Sequence, residues 1–147
     1  MRLPERGEHE LIADWQVAFV AEVGLPDEAA RVRASLVRRL ERGLVRVWDD
    51  GGAVCFAGYA EIDDGTGQGA ARIAPVYTPP ARRGCGYASA LVAALSRELL
   101  ECGKRAIFLT TDLANQTSNS IYRKIGYRPV ADHFHFDFQA APAADSA

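Results

Sequence analysis

The residues best equipped for chemistry stand in one short run, Arg82-Arg83-Gly84-Cys85-Gly86-Tyr87-Ala88. It lies between an apolar stretch that reads as a strand, 72–78, and an amphipathic one that reads as a helix, to about Glu101. A helix N-terminus carries four unpaired backbone N–H groups and a partial positive charge. Glycine has no Cβ, so its backbone can approach an anion closely. Arg82 and Arg83 add full charges beside it. The arrangement suits a phosphate group. It is not a nucleoside-triphosphate loop, because no Gly-Lys-Ser/Thr follows. Gly84, Gly86 and Ser89 satisfy part of a dinucleotide fingerprint, with Asp112 downstream. A dinucleotide turn is tight, however, and here two prolines stand between strand and glycine.

The elements that must hold this loop follow from periodicity. Residues 9–23 carry Leu11, Ile12, Trp15, Phe19 and Val23 at helical spacing, and Gly24 stops them. Asp27 caps a second helix to Arg42, with the stripe Ala29, Val32, Leu36 and Leu40. Its arginines at 31, 33, 38, 39 and 42 fall mostly off that stripe and read as a solvated face. Strands are predicted at 44–48, 53–62 and 72–78. Pro75 lacks an N–H and so requires an edge, a bulge or a parting of strands. The helix after the glycine loop buries Ala88, Leu91, Val92, Leu95 and Leu99. The apolar run 106–111 reads as a strand covered on both faces, 118–124 as a short helix, and 127–131 as a strand. Phe134, Phe136 and Phe138 alternate with His133, His135, Asp137 and Gln139, as on a final strand. Two imidazoles on one face can bind zinc, but a polar face opposite three core phenylalanines explains them, so no metal is expected.

A second motif, Asn115-Gln116-Thr117-Ser118-Asn119-Ser120-Ile121-Tyr122-Arg123-Lys124-Ile125-Gly126-Tyr127, follows the first after one helix and one strand. It resembles the NxxAxxLYxKxGF signature of the GNAT superfamily of acetyltransferases, with Asn, Tyr, Lys and Gly in register. Arg83, Gly86 and Ala88 likewise match that superfamily's acyl-CoA motif, (Q/R)xxGx(G/A). The resemblance extends over about residues 8–139. It implies an α/β fold: a mixed, mostly antiparallel sheet of about six strands flanked by four helices, with strands 72–78 and 106–111 splayed. The family's first strand has room here only for a stub at Arg2-Leu3. A shortened single domain and the second half of a tandem pair are both compatible with that. Either leaves a bare sheet edge, from which a homodimer is expected.

The resemblance also assigns roles. Acetyl-CoA would be the cosubstrate, its pantetheine arm lying in the splay against backbone groups of Val76 and Thr78, beside Tyr77. Its pyrophosphate would rest on N–H groups of Gly84, Cys85, Gly86, Tyr87 and Ala88, next to Arg83. The Cys85 side chain is incidental on that reading, although a helix N-terminus can activate a thiol. A backbone N–H near Val76 would hold the oxyanion. Tyr122 would be the general acid, and Asn115 would bond the pantetheine or hold its loop. Glu61, Asp112 and Tyr77 are candidate bases, with Glu61 preferred. Glu61, Asp63 and Asp64 would favour a cationic acceptor.

The expected activity is acetyl transfer to a primary amine of a small molecule or peptide. The alternatives are a non-catalytic acyl-CoA-binding or regulatory module and a nucleotide-binding oxidoreductase fragment. Composition constrains the partners. The 147 residues make one domain, 1–139, with a small-residue tail, 140–147, expected to be disordered. Seventeen basic and 19 acidic side chains give a net charge of −2, which argues against nucleic acid. No apolar run approaches the ~20 residues of a spanning helix, so no membrane partner is expected. Cys55, Cys85 and Cys102 form no CxxC pair and fit a reducing, cytoplasmic setting.

Overall fold

A computed structural model describes residues 1–24, 28–65 and 68–134. Two helices come first, α1 (His9–Glu22) and α2 (Ala29–Glu41). Three strands follow, β1 (Val45–Asp49), β2 (Ala53–Ile62) and β3 (Ala70–Tyr77). Then come α3 (Tyr87–Glu101), β4 (Ala106–Phe108) and α4 (Gln116–Ile125). The sheet runs β1-β2-β3-β4, antiparallel except for the parallel β3–β4 pair. Arg2 makes one antiparallel bridge to Val47, the expected stub at the β1 edge.

Alternation along β2 divides the core. Cys55, Ala57 and Tyr59 face α3, where Leu91, Val92, Leu95 and Leu99 pack on them with Ala71 and Ile73. Phe56 points the other way, into a layer of Ile12, Ala13 and Leu36 from α1 and α2, with Val45, Val47 and Tyr77. The predicted stripes of α2 and α3 hold at these positions. On α1 the buried face is Ile12, Ala13 and Val20, while Leu11 and Val23 are exposed. Asp27 lies outside the described residues, and Glu28 takes the N-cap position of α2 without a side-chain bond.

Two features of β3 shape the site. Ala57 pairs with Val76, yet Tyr59 pairs with Ile73, so β3 holds one residue more than β2 between these pairs. That is a β-bulge at Ala74-Pro75 opposite Gly58, as the proline requires. The Ala74–Pro75 peptide is cis. Parallel pairing with β4 covers Ala70, Ala71 and Arg72 and then stops at Phe108, while β3 continues to Tyr77. The two strands therefore part beyond Arg72.

The C-terminal part departs from the sequence reading. Four strands, not six, form among the described residues. The run 106–111 pairs only over its first three residues, and Phe108 is 43% exposed instead of covered. Residues 127–131 form no strand. Pro129 deprives that segment of a ladder donor, and Val130 is 82% exposed. Phe134 is likewise exposed; His135, Phe136, Asp137, Phe138 and the 140–147 tail lie outside the described residues.

Arg2 fastens the N-terminal stub. Its guanidinium bonds Glu8 bidentately at 2.7 Å and reaches Asp49 at 2.6 Å. The Arg2 hydrogen bonds hold the Glu8 carboxyl down at about 2, against its ordinary 4.5. A depressed carboxylate stabilises the fold above its unfolded pKa and loses that contribution as pH falls through the folded value. Glu8→Gln is therefore expected to lower stability at pH 7 by on the order of 2–3 kcal/mol. It should also flatten the fall in melting temperature between pH 4.5 and 2. Melting curves of the two proteins across that range check this.

Candidate active site

β3 ends at Tyr77, and a single 3-10 turn, Pro80–Arg82, carries the chain into the glycine loop. Gly84 and Gly86 both have positive φ, +80° and +79°. Only this left-handed backbone turns the chain so that Gly86 becomes the N-cap of α3. No side chain caps that helix. Ala90 N–H closes its first turn onto the Gly86 carbonyl. The N–H groups of Gly84, Cys85, Gly86, Tyr87 and Ala88 donate to no other described residue. No heavy atom stands within 4 Å of where a Cβ would project from either glycine. The loop thus offers N–H donors without a partner among the described residues, the requirement for an anion.

The arginines of the loop divide their work. Arg83 does not stand free: Nε donates to the Thr78 carbonyl at 2.8 Å and Nη2 to Glu22 at 2.7 and 2.9 Å. Its guanidinium also lies over the Tyr77 ring, 5.5 Å from the centroid. It clamps the loop to the end of α1. Arg82, by contrast, is exposed and makes no hydrogen bond or ion pair through its side chain among the described residues. So the uncommitted charge beside the loop is that of Arg82. The Thr78 carbonyl, expected to be free for a ligand, is occupied by Arg83. Tyr87 leaves the loop sideways and donates its hydroxyl to Asp50 in the β1–β2 turn. Cys85 is exposed, its Sγ 3.7 Å from the Arg83 carbonyl oxygen.

α4 brings the second motif onto the α3 face. Asn115 caps it, Oδ1 accepting from Ser118 N–H at 3.0 Å. Asn119, not singled out in the sequence, donates Nδ2 to the Asp112 and Leu113 carbonyls and closes the same loop. Its place one turn after Asn115 is the signal that marks it. Gly126, at φ +117°, ends the helix and lets Tyr127 N–H bond back to the Tyr122 carbonyl. The Tyr127 hydroxyl meets Ser96 Oγ at 2.7 Å, and its ring stands edge-on to Tyr122, 6.0 Å between centroids. Tyr122 is thereby held at the margin of the α3-side core that Val76 and Tyr87 also border. Burial, and then Tyr127, raise its pKa above the ordinary 10. Its hydroxyl bonds no described residue.

The three candidate bases do not gather at this place. Glu61 pairs with Ala71 in register, at the end of β3 away from the loop. Six residues of strand separate that level from Tyr77, ~20 Å at the usual rise. Its carboxylate meets Lys104 at 2.9 Å. Glu61 therefore does not stand at the glycine loop, and its carboxylate is engaged by Lys104. Asp112 Oδ1 accepts from Ala114 N–H in its own loop. Tyr77 donates to Glu22, and burial and that hydrogen bond raise its pKa, which makes it a poor base. Glu22 had no local sequence signal, because its partner Arg83 is 61 residues away.

Residues 9–127 match the model of the acetyltransferase (GNAT) family. The chain belongs to that family. Solved structures share its fold at low identity. One is AAC(6')-Iy in complex with the bisubstrate analogue CoA-S-monomethyl-acetylneamine: TM-score 0.71, 17% identity, 95% of this chain and 97% of that one. Another is a predicted acetyltransferase of Clostridium acetobutylicum with acetyl-CoA, at TM-score 0.68, 18% identity, 91% and 92%. A third is a GCN5-related N-acetyltransferase from Ralstonia eutropha, at TM-score 0.66, 19% identity, 89% and 93%. No curated protein matches the chain in sequence. The parted strands, the uncapped α3 N-terminus and the bare loop donors suit the acetyl-CoA on which this family depends.

The two loop glycines give a direct test. Their surroundings are open, so the cost of a side chain is that of left-handed backbone alone. Gly84→Ala and Gly86→Ala are each expected to lose about 1–2 kcal/mol of stability. Chemical denaturation measures this, and a markedly larger loss would reveal a clash absent from the geometry.

Proposed function

We propose that the protein transfers the acetyl group of acetyl-CoA to a primary amine by direct attack on the thioester. The observation that carries this reading is the coincidence of two openings. β3 has no β4 neighbour from Ile73 to Tyr77, and the glycine loop that follows has no partner for its N–H groups. A long ligand with an anionic end and a peptide-like arm suits both at once. On this reading Gly84, Cys85, Gly86, Tyr87 and Ala88 hold the pyrophosphate through backbone donors, with Arg82 supplying charge. Arg83 acts by fixing the loop. Val76 and its neighbours on the splayed strand line the arm.

The reaction forms a bond between the amine nitrogen and the acetyl carbon and breaks the carbon–sulfur bond. The sulfur leaves with the electron pair and takes a proton from the Tyr122 hydroxyl. The surplus proton on the nitrogen passes to solvent, which restores Tyr122. A phenol whose pKa is raised by burial stays protonated throughout the physiological range, as a general acid must. Its lack of a hydrogen-bond partner among the described residues leaves it free to donate. We further propose a single catalytic domain over 1–139, acting in the cytoplasm as a homodimer. In support, the β1 edge is covered only where Arg2 meets Val47, and no described helix is long and apolar enough to cross a membrane.

Thiol release from acetyl-CoA with a panel of amines tests the activity itself; binding of CoA without transfer to any amine would favour a binding module. Tyr122→Phe is expected to lower kcat by ~100-fold, while CoA still raises the melting temperature. Wild-type rate in this variant across pH 6–9 would remove Tyr122 from the acid role.

A further inference from the structure

α2 carries a row of arginines, and one of them turns inward. Arg39 is half-buried, and Nη1 donates to the Ala74 carbonyl at 2.6 Å, at the β3 bulge. Gly58 makes room for it: a Cβ there would lie 3.1 Å from Arg39 Nη1, 3.2 Å from Ala74 O and 3.3 Å from Pro75 Cδ. Among the described residues no carboxylate pairs with this guanidinium, and every other Arg or Lys without an ion pair there is exposed. Arg2, Arg33, Arg46, Arg83, Lys104 and Arg105 each meet an Asp or Glu.

Arg72 stands nearby on β3, two residues before Ala74. Ala71 and Ile73 face the α3 core, so alternation turns Arg72 to the α1/α2 face, where Arg39 also lies. Arg72 is exposed and makes no hydrogen bond or ion pair among the described residues. Burial, and then the Arg72 charge, lower the Arg39 pKa. Two cations therefore share one corner without an anion paired to either among the described residues, though a partly buried unpaired charge is costly. A guanidinium has five N–H donors in a planar fork, and Arg39 uses Nη1 alone here.

We propose that Arg39 and Arg72 form the acceptor subsite and bind a carboxylate, so that the acceptor is an amine bearing a carboxylate, such as a small amino acid. This rests on the acetyl-transfer reading. The subsite sits at the bulge, where the strand that parts from β4 begins to run alone. The acidic residues expected to draw a cationic acceptor are already engaged. Glu61 pairs with Lys104, Asp63 accepts from Gly65 N–H, and Asp64 meets Arg105. A planar carboxylate matches a guanidinium fork, and such charge-assisted bonds are the stronger class.

The test compares matched ω-amino acids with their amides, whose amines differ little in basicity. The wild type is expected to prefer the carboxylate by ~10-fold or more in kcat/KM, mainly through KM. Arg72→Ala, at an exposed position, should bring the pair to within about twofold of each other, and Arg39→Lys should weaken the preference. Equal use of acid and amide by the wild type, or an unchanged preference in Arg72→Ala, would overturn the subsite while leaving acetyl transfer intact. A second readout needs no turnover: the melting temperature of CoA-saturated protein with N-acetylglycine against N-acetylglycinamide. The acid alone should stabilise the wild type, and Arg72→Ala should abolish the effect. If no amine is acetylated yet this difference is found, the transfer reading fails and the anion subsite stands. If neither acid nor amide stabilises, the subsite is wrong.

Discussion

The arrangement of this site depends on one constraint, a strand that must belong to two neighbours and keeps only one of them. β3 pairs with β2 along nearly its whole length but with β4 only as far as Arg72. The extra residue at Ala74-Pro75 sits where the β4 pairing has just ended. A bulge adds local bend and twist to the strand that contains it. Pro75 can give no ladder bond there, and Gly58 opposite has no side chain to obstruct the bend. Beyond it the edge of β3 has no strand partner among the described residues, and a ligand laid along it would meet backbone groups instead of side chains.

A bare edge and a bare helix end are liabilities unless something holds them open. The glycine loop is held from outside. Arg83 joins it to Glu22 at the end of α1, to the Thr78 carbonyl and to the face of Tyr77. Tyr87, on the first turn of α3, is tied to Asp50 in the β1–β2 turn. Neither tie uses the N–H groups of the loop, which keep no partner among the described residues. An exposed ion pair contributes little stability by itself. Its worth here is geometric, since a loop already in its binding shape pays less ordering entropy when a ligand arrives.

Local signals carried much of this into the sequence. The glycines of the loop, the stripe of α3, the Pro75 irregularity and the Asn-to-Tyr motif each declare themselves within a few residues. Long-range electrostatics did not. Arg83 and Arg82 are adjacent and alike in sequence, yet Glu22, 61 residues from Arg83, commits one of them and leaves the other free. Arg39 reads as one more charge on a solvated face, because nothing local tells of Gly58 or Ala74. Glu61 reads as a base because its strand should face the acceptor pocket, and nothing local tells of the Lys104 that engages its carboxylate. Strand length at the C-terminal side also escaped, since the apolar run 106–111 keeps its neighbour for three residues alone.

The sheet thereby separates two tasks by face. The α3 side holds the uncapped helix end and Tyr122, steadied by Tyr127 and Ser96. The α1/α2 side holds Arg39 and Arg72, neither paired with a carboxylate among the described residues. Two substrates approaching from opposite faces could not react through an intact sheet, since paired strands leave no passage between them. A sheet opened beyond Arg72 removes that barrier at the level of the bulge. On the proposed reading, the thioester arrives along the parted edge and the acceptor is anchored by its carboxylate one or two residues away. The amine then needs only a short reach. Binding energy spent at the two arginines would serve orientation, which lowers the barrier without any contact to the reacting atoms.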